Sequence, residues 1–345
     1  MPQSTTPDPA VRAQVIGLIT ACWSTQAIGV AARLRLFELL AQSPRASADL
    51  AAVTGSHPGA LHRLLRALAA LGLVLQTDDE FGDELFELTE AGGLLCEDMP
   101  GGVRGMALHW GDRLWGALSQ LDQSVKTGKA WAASGSEGFE LMARDQGQMA
   151  MFHQSMADQT GPVAAAMLEV YDFSRFGGLT DVGGGYGALL AAILKAHPRL
   201  TGQVYDLPDL GSAAGGYLET AGVADRAVFV GGSFFKQVPP GADAYMLKMI
   251  IHDWDDDQSV AILENCRKAL GPGGVVLVME RIAPDRVTGA ASDFVTIRGD
   301  IVMLTAAGGL ERTLAEYEAL FARAGLMLKR TVLTASGFSI MEAAA

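Results

Sequence analysis

Two rhythms of apolar and polar positions divide the chain. From position 11 to about 170 apolar residues recur at helical spacing, most clearly in Leu61, Leu64, Leu65, Leu68 and Leu71, with Arg63 and Arg66 opposite. Pro58 stands where a first helical turn tolerates proline, after Gly55-Ser56 closes a short helix around residues 50–53. The stretch LGLVLQTDDEFGDELFELT follows, so helix, turn, helix and two strands predict a winged-helix module. Residues 23–40 are apolar beyond a single stripe (Ala27, Ile28, Val30, Ala31, Leu34, Leu36, Phe37, Leu39, Leu40). They read as one helix needing a second partner surface, for which a subunit interface is natural.

After Tyr171 short apolar runs alternate with helical segments. Strands are predicted near 179–182, 203–205, 227–230, 244–247 and 275–279, with helices between them as at 188–196 and 258–270. Such alternation implies an α/β fold, a Rossmann-like parallel sheet covered by helices on both faces. The tail departs from it: residues 328–334 and 338–342, around Ala335-Ser336-Gly337, predict an antiparallel hairpin at the sheet edge. That addition is unusual for a dinucleotide dehydrogenase. The division expected is a winged-helix-like module over 1–100, a helical connector over 101–170 and a Rossmann-like domain over 171–345.

Composition narrows the function. At 345 residues, with 49% hydrophobic and 19% charged residues, the chain has apolar material for two real cores. A winged helix raises DNA binding, but the net charge of −13 opposes it. So does the wing, where Asp78, Asp79, Glu80, Asp83, Glu84 and Glu87 face no basic residue. The three cysteines are far apart and odd in number, forming neither a disulfide framework nor a paired metal pattern. The polar, Pro-rich start predicts no secretory leader, and no run reaches the roughly 18 apolar residues of a membrane span. The expectation is a soluble cytoplasmic protein, with neither nucleic acid nor membrane as partner.

The chemistry gathers at the predicted strand ends. Asp181-Val182-Gly183-Gly184-Gly185-Tyr186-Gly187 follows a strand and opens a helix, where glycines let the chain turn sharply and a ligand approach the backbone. Gly183, Gly185 and Ala188 also satisfy the dinucleotide fingerprint, so NAD stands beside other adenosine cofactors. Asp206 ends the next strand, placed to accept both hydroxyls of a ribose. The discriminating stretch runs from Lys248 through His252, Asp253 and Trp254 to Asp256. It puts an imidazole at the carboxyl edge of the sheet. Ionising a phenol of pKa near ~10 costs roughly 4 kcal/mol at pH 7. A general base that removes this proton gives roughly 10²–10⁴-fold, and in-line alignment up to about 7–11 kcal/mol more. Glu280, ending a strand, and Glu311, before a helix, are alternative partners for the ring's second nitrogen. The acids Asp253, Asp255, Asp256 and Asp257 invite a metal reading. A helix cap by Asp255, with Gln258 three residues on, accounts for them better, since no second His or Cys has ligand spacing nearby.

Together these segments resemble the plant-type small-molecule O-methyltransferases and their bacterial relatives acting on polyketides and other natural products. DVGGGYG, VYDLPDL, VFVGGSFF, AYMLKMIIHDWDDD, LVMERI and GGLERTLAEYEALFARAGL occur in family order over 179–326, and the N-terminal module matches the family's dimerisation domain. The resemblance implies a class I fold and a homodimer. It implies S-adenosylmethionine (SAM) as cofactor, no metal, and a phenolic hydroxyl on a small aromatic or polyketide-type acceptor. It further implies that Asp181, Gly183 and Gly185 line the cofactor pocket, that Asp206 and Leu207 hold the ribose, and that Gly232, Ser233, Phe234 and Lys248 surround the adenine. His252 would be the base, flanked by Glu280 and Glu311, with Phe152, Met156, Asp253 and Met303 around the acceptor. Two departures stand out: Ser233 where the family often has an acid, and the bulky Tyr186 inside the glycine loop. Some relatives keep this fold yet hydroxylate or decarboxylate, and the three residues His252, Glu280 and Glu311 favour methyl transfer over those outcomes. A ligand-sensing winged-helix regulator is the reading from another class.

Overall fold

The structure, a computed structural model, describes residues 8–97, 99, 101–131 and 145–345, without the side chains of Gln146, Gln148 and Ala150. It divides into two compact units, Met1–Trp115 and Gly116–Ala345.

The first unit opens with helices α1 (Pro9–Thr20), α2 (Cys22–Arg33), α3 (Leu36–Gln42), α4 (Ser47–Thr54) and α5 (Pro58–Ala70). Residues 23–40 are therefore two helices rather than one. Arg35 adopts a left-handed φ of 56°, which ends helical hydrogen bonding and turns α3 away from α2. In α5 the leucine stripe does what its spacing dictates, burying Leu61, Leu65 and Leu68, with Pro58 in the first turn. Strands β1 (Val74–Asp78) and β2 (Glu84–Leu88) pair antiparallel as the wing. A further helix, α6 (Arg104–Gly111), meets α2 where Gly29 faces Gly111; a Cβ on Gly29 would lie 3.1 Å from the Gly111 Cα.

Contrary to the expectation of no membrane-length run, α1 and α2 together form a 25-residue stretch over Pro9–Arg33 that is long and apolar enough to cross a membrane by length and composition, its most apolar 18 residues having a mean hydropathy of 1.6. Polar residues are spread thinly enough along it that the average stays high. Val11, Val15, Ile16, Leu18 and Ile19 are exposed on α1.

In the second unit, α7 (Gln146–Val170) leads into a seven-stranded sheet with helices α8 (Ala188–Ala196), α9 (Gly211–Thr220), α10 (Asp256–Ala269), α11 (Ala291–Val302) and α12 (Leu314–Arg323). Its strands are β3 (Gly178–Val182), β4 (Thr201–Asp206), β5 (Ala227–Gly231), β6 (Ala244–Lys248), β7 (Val275–Glu280), β8 (Met327–Leu333) and β9 (Ser339–Ala344). The spatial order is β5-β4-β3-β6-β7-β9-β8. The first five run parallel and β9 runs antiparallel to both its neighbours. The second strand of the tail hairpin thus inserts beside β7, and β8 becomes the edge.

Side chains alternate across the sheet. Met246 and Leu277 join Leu190 and Ile193 of α8 on one face. Tyr245, Val276 and Val278 join Ile262 of α10 and Tyr317 and Phe321 of α12 on the other. Burial on both faces explains why β7 reads as an unbroken apolar run. The order reverses at β3, between β4 and β6, and there the carboxyl ends of the strands open a crevice for ligands.

Candidate active site

The turn after β3 takes left-handed φ values at Gly183 (69°), Gly185 (58°) and Gly187 (84°), which residues with a Cβ adopt only at a cost. Gly183 also meets a spatial limit: a Cβ would lie 2.5 Å from Ile250 Cδ1 and 3.5 Å from Phe234 Cε1. The glycine turn is therefore packed against the segments that follow both β5 and β6, and Ile250 stands two residues from His252.

Asp206, ending β4, faces this turn. Gly185 N–H donates to its Oδ2 (2.8 Å) and Leu207 N–H to its Oδ1 (2.7 Å), so each oxygen keeps a lone pair for a diol. Burial raises its pKa against the pull of those two N–H groups. Gly232 is required because a Cβ would overlap the Tyr205 hydroxyl, which donates to the Gln237 carbonyl (2.7 Å). The Ser233 carbonyl accepts from Lys236 and Gln237 N–H, closing the turn that presents Phe234 edge-on to Trp254, centroids 5.8 Å apart. Beneath the glycine turn Asp181 is buried with Oδ2 unpartnered, and desolvation lifts it to about 7 although Lys248 opposes the shift. Burial in turn pushes the Lys248 ammonium down, against the attraction of Asp181 and Glu280.

His252 lies in a 3-10 turn (Ile251–Asp253), entered through Met249 with a left-handed φ of 55°, and is 4% exposed. Its Nδ1 is 3.0 Å from Glu311 Oε1 and 3.9 Å from Glu280 Oε2, while Nε2 is 3.7 Å from Asp253 Oδ1. The two glutamates, interchangeable by sequence, separate here. Glu311 makes the hydrogen bond to the ring. Glu280 turns its Oε1 to the backbone, accepting from the N–H of Ile250 (3.0 Å), Ile251 (3.0 Å) and His252 (3.4 Å). Burial disfavours the imidazolium, but Glu280, Asp253 and Glu311 outweigh it and raise His252 to about 10. Desolvation lifts the acids as well, Glu280 to about 7 and Asp253 to about 6.

The supporting residues carry little sequence signal. Glu311 N–H donates to Asp300 Oδ1 (2.9 Å), and a Cβ on Gly299 would sit 2.9 Å from Glu311 Oε1. Gly309 packs directly on the His252 carbonyl, which accepts from Leu310 N–H (2.9 Å). The acids after His252 are engaged in folding: Asp255 caps α10 through Gln258 N–H (2.8 Å), Asp256 binds Arg312, and Asp257 pairs with Arg323.

Phe152 and Met156 lie one turn apart on α7, both half-buried. Between them in sequence, His153 packs on Tyr186 (centroids 5.0 Å apart) and would meet a Cβ on Gly185 at 3.2 Å, which sets α7 beside the glycine turn. Met303 opens a π-helical turn (Met303–Ala307) packed against the turn of His252.

A sheet of this order, a glycine turn facing a diol-ready carboxylate, and an antiparallel tail define a class I methyltransferase. Sequence comparison extends this. The O-methyltransferase domain matches residues 118–327, and the O-methyltransferase dimerisation domain matches residues 16–98. The chain belongs to the O-methyltransferase family and is a SAM-dependent enzyme of that family. It is 37% identical to the phenazine O-methyltransferase PhzM of Lysobacter antibioticus, over 95% of either chain. It superposes on the crystal structure of LaPhzM with a TM-score of 0.90, at 36% identity over 98% of this chain and 99% of that one. A neocarzinostatin-biosynthesis O-methyltransferase, NcsB1, solved with SAM and 2-hydroxy-5-methyl naphthoic acid, gives a TM-score of 0.76 at 36% identity, covering 93% and 96% of the two chains. The aclacinomycin 10-hydroxylase RdmB of Streptomyces purpurascens is 36% identical over 92% of this chain and 86% of its own.

Proposed function

We propose that this enzyme methylates a phenolic hydroxyl of a small aromatic or polyketide-type natural product, with His252 as general base. The observation that carries this is one ring with two differently equipped nitrogens: Nδ1 held by Glu311 at 3.0 Å, and Nε2 with no hydrogen-bond partner among the described residues. Bound SAM would supply the electrophilic methyl group. Asp181, Gly183 and Gly185 would line its pocket, Asp206 with Leu207 would hold its ribose, and Gly232, Ser233, Phe234 and Lys248 would surround its adenine. The fit rests on the cradle a Cβ at Gly183 would fill and on the free lone pairs of Asp206.

Nε2 then takes the hydroxyl proton as the oxygen gains the methyl group. The imidazolium formed is stabilised by Glu311 through Nδ1 and by the Asp253 carboxylate beside Nε2. Phe152, Met156, Asp253 and Met303 would bound the acceptor. The N-terminal unit would form a homodimer, in line with the dimerisation-domain match and the apolar exposure of α1. The acidic wing and net charge support a soluble, cytoplasmic enzyme that binds neither nucleic acid nor membrane. The division into residues 1–100, 101–170 and 171–345 would then assign dimerisation, acceptor pocket and cofactor binding to successive segments.

The test is turnover of a panel of phenols, flavonoids and polyketides with SAM, read by product mass. Gain of a methyl group supports the proposal. Gain of an oxygen atom instead would make the enzyme a hydroxylase, as one relative's name records. His252→Ala should lose turnover by roughly 10²–10⁴-fold while still binding S-adenosylhomocysteine; turnover at the parental rate refutes the base assignment.

A further inference from the structure

Arg312 follows Glu311 by one residue and is only 1% exposed. Its Nη1 donates to the Ile251 carbonyl (3.1 Å) and its Nη2 to the Trp254 carbonyl (2.8 Å). Nη2 and Nε both reach Asp256 Oδ1, at 2.8 and 3.1 Å. The two carbonyls bracket His252 and Asp253, so one planar guanidinium spans the ends of the catalytic turn. Arginine's fixed fork suits such a span, and lysine's single ammonium does not. The Arg312 carbonyl accepts from Ala283 N–H (2.8 Å), anchoring it to the segment beyond β7.

The grip is two-sided. Glu280 Oε1 takes the N–H groups that enter the turn, and Arg312 takes the carbonyls within it and after it. Consecutive residues thus hold the turn at two points, Glu311 through the His252 ring and Arg312 through the flanking Ile251 and Trp254 carbonyls. Burying a guanidinium is costly, and the counterion Asp256 has a side chain 59% exposed, so the pair contributes little as a salt bridge. The arrangement makes sense as a device for orientation.

We infer that Arg312 is a positioning residue for methyl transfer: it fixes the turn so that His252 Nε2 faces the acceptor hydroxyl. This rests on the reading of His252 as base. Displacements of about 1 Å at a reacting group can cost 10²-fold. Arg312→Met should therefore lower kcat by about 10²-fold, with the acceptor KM and the calorimetric Kd for S-adenosylhomocysteine within threefold of the parent. Arg312→Lys should fall between. The double variant with His252→Ala should be no slower than His252→Ala alone, since a residue acting through the imidazole has nothing left to position.

The inference is overturned by an Arg312→Met enzyme turning over within threefold of the parent. It is also overturned by cofactor affinity falling in step with kcat, or by an additive double variant. Should Arg312→Met fail to fold, Asp256→Asn carries the test, since it weakens the same hold from the surface. A severalfold loss confined to kcat supports the inference, and an unchanged kcat ends it. The cycle also separates two failures: His252→Ala at the parental rate ends the base reading, whereas additivity ends only the role of Arg312.

Discussion

Replacing Glu311 by Gln removes a negative charge 3.0 Å from His252 Nδ1, in a pair where both residues are nearly buried. Two unit charges about 4 Å apart interact by roughly 4 kcal/mol at an effective dielectric near 20, an upper limit because glutamine still offers a polar partner. Hydrogen bonds to charged groups contribute about 1.5–3 kcal/mol, so kcat/KM should fall roughly 10- to 150-fold on its high-pH plateau. The pH profile sets a second condition. The carboxylates raise His252, and a base there must be neutral to act, so on the proposed reading parental kcat/KM should climb with pH well beyond the range of an ordinary imidazole. Removing Glu311 lowers the imidazole pKa, and the acid limb should move to lower pH by about one to two units. Release of S-adenosylhomocysteine followed from pH 5 to 11 measures both quantities. A variant within twofold of the parent on the plateau, or with its acid limb unmoved or raised, refutes the pairing as the source of catalytic basicity.

Two further perturbations follow from the same geometry. Gly299→Ala should cut kcat several-fold without loss of stability, because the new Cβ crowds Glu311 Oε1 from 2.9 Å while alanine favours the helix by up to about 1 kcal/mol; full activity with an unchanged pH profile would show that Glu311 has room to spare. Stability should fall above pH 6.5: His252, raised to about 10, loses its contribution as pH rises from 6.5 toward 10, and Asp181, Glu280 and Asp253, raised to about 7, 7 and 6, have by then lost most of theirs over the climb from ordinary carboxylate pKa values. Between pH 4 and 6.5 buried His109 and His153, lowered to about 4, act in the opposite sense and offset much of the acids' loss, so the profile is flatter there than above pH 6.5. Thermal melts of the cofactor-free enzyme from pH 4 to 9 check this, and a Tm still rising at pH 9 would contradict it.

Much of the fold was legible because its causes are local. The wing, the leucine stripe of α5 and the parallel strands each follow from a period of apolar residues, and the observed strands lie within a few positions of those expected. The glycine turn was legible for the same reason, since a strand turning at once into a helix demands left-handed backbone at Gly183, Gly185 and Gly187. The break at Arg35 was not, because an arginine carries no sign that it will adopt a positive φ; packing of α2 and α3 imposes it.

The sequence by itself determined the fold class, the glycine turn, the candidate base and a short roster of acids. Only the tertiary structure decided which acid does what. Glu280 and Glu311 stand 28 and 59 residues from His252, and nothing in their local context distinguishes a partner of the ring from a partner of the backbone. The same holds for Gly299, which is a glycine because a carboxylate passes over it, and for Arg312, whose three acceptors lie 56 to 61 residues earlier in the chain. Periodicity reports which way a residue faces relative to its own element. A catalytic contact depends on where a second element has been placed, and that is settled by packing on both faces of the sheet.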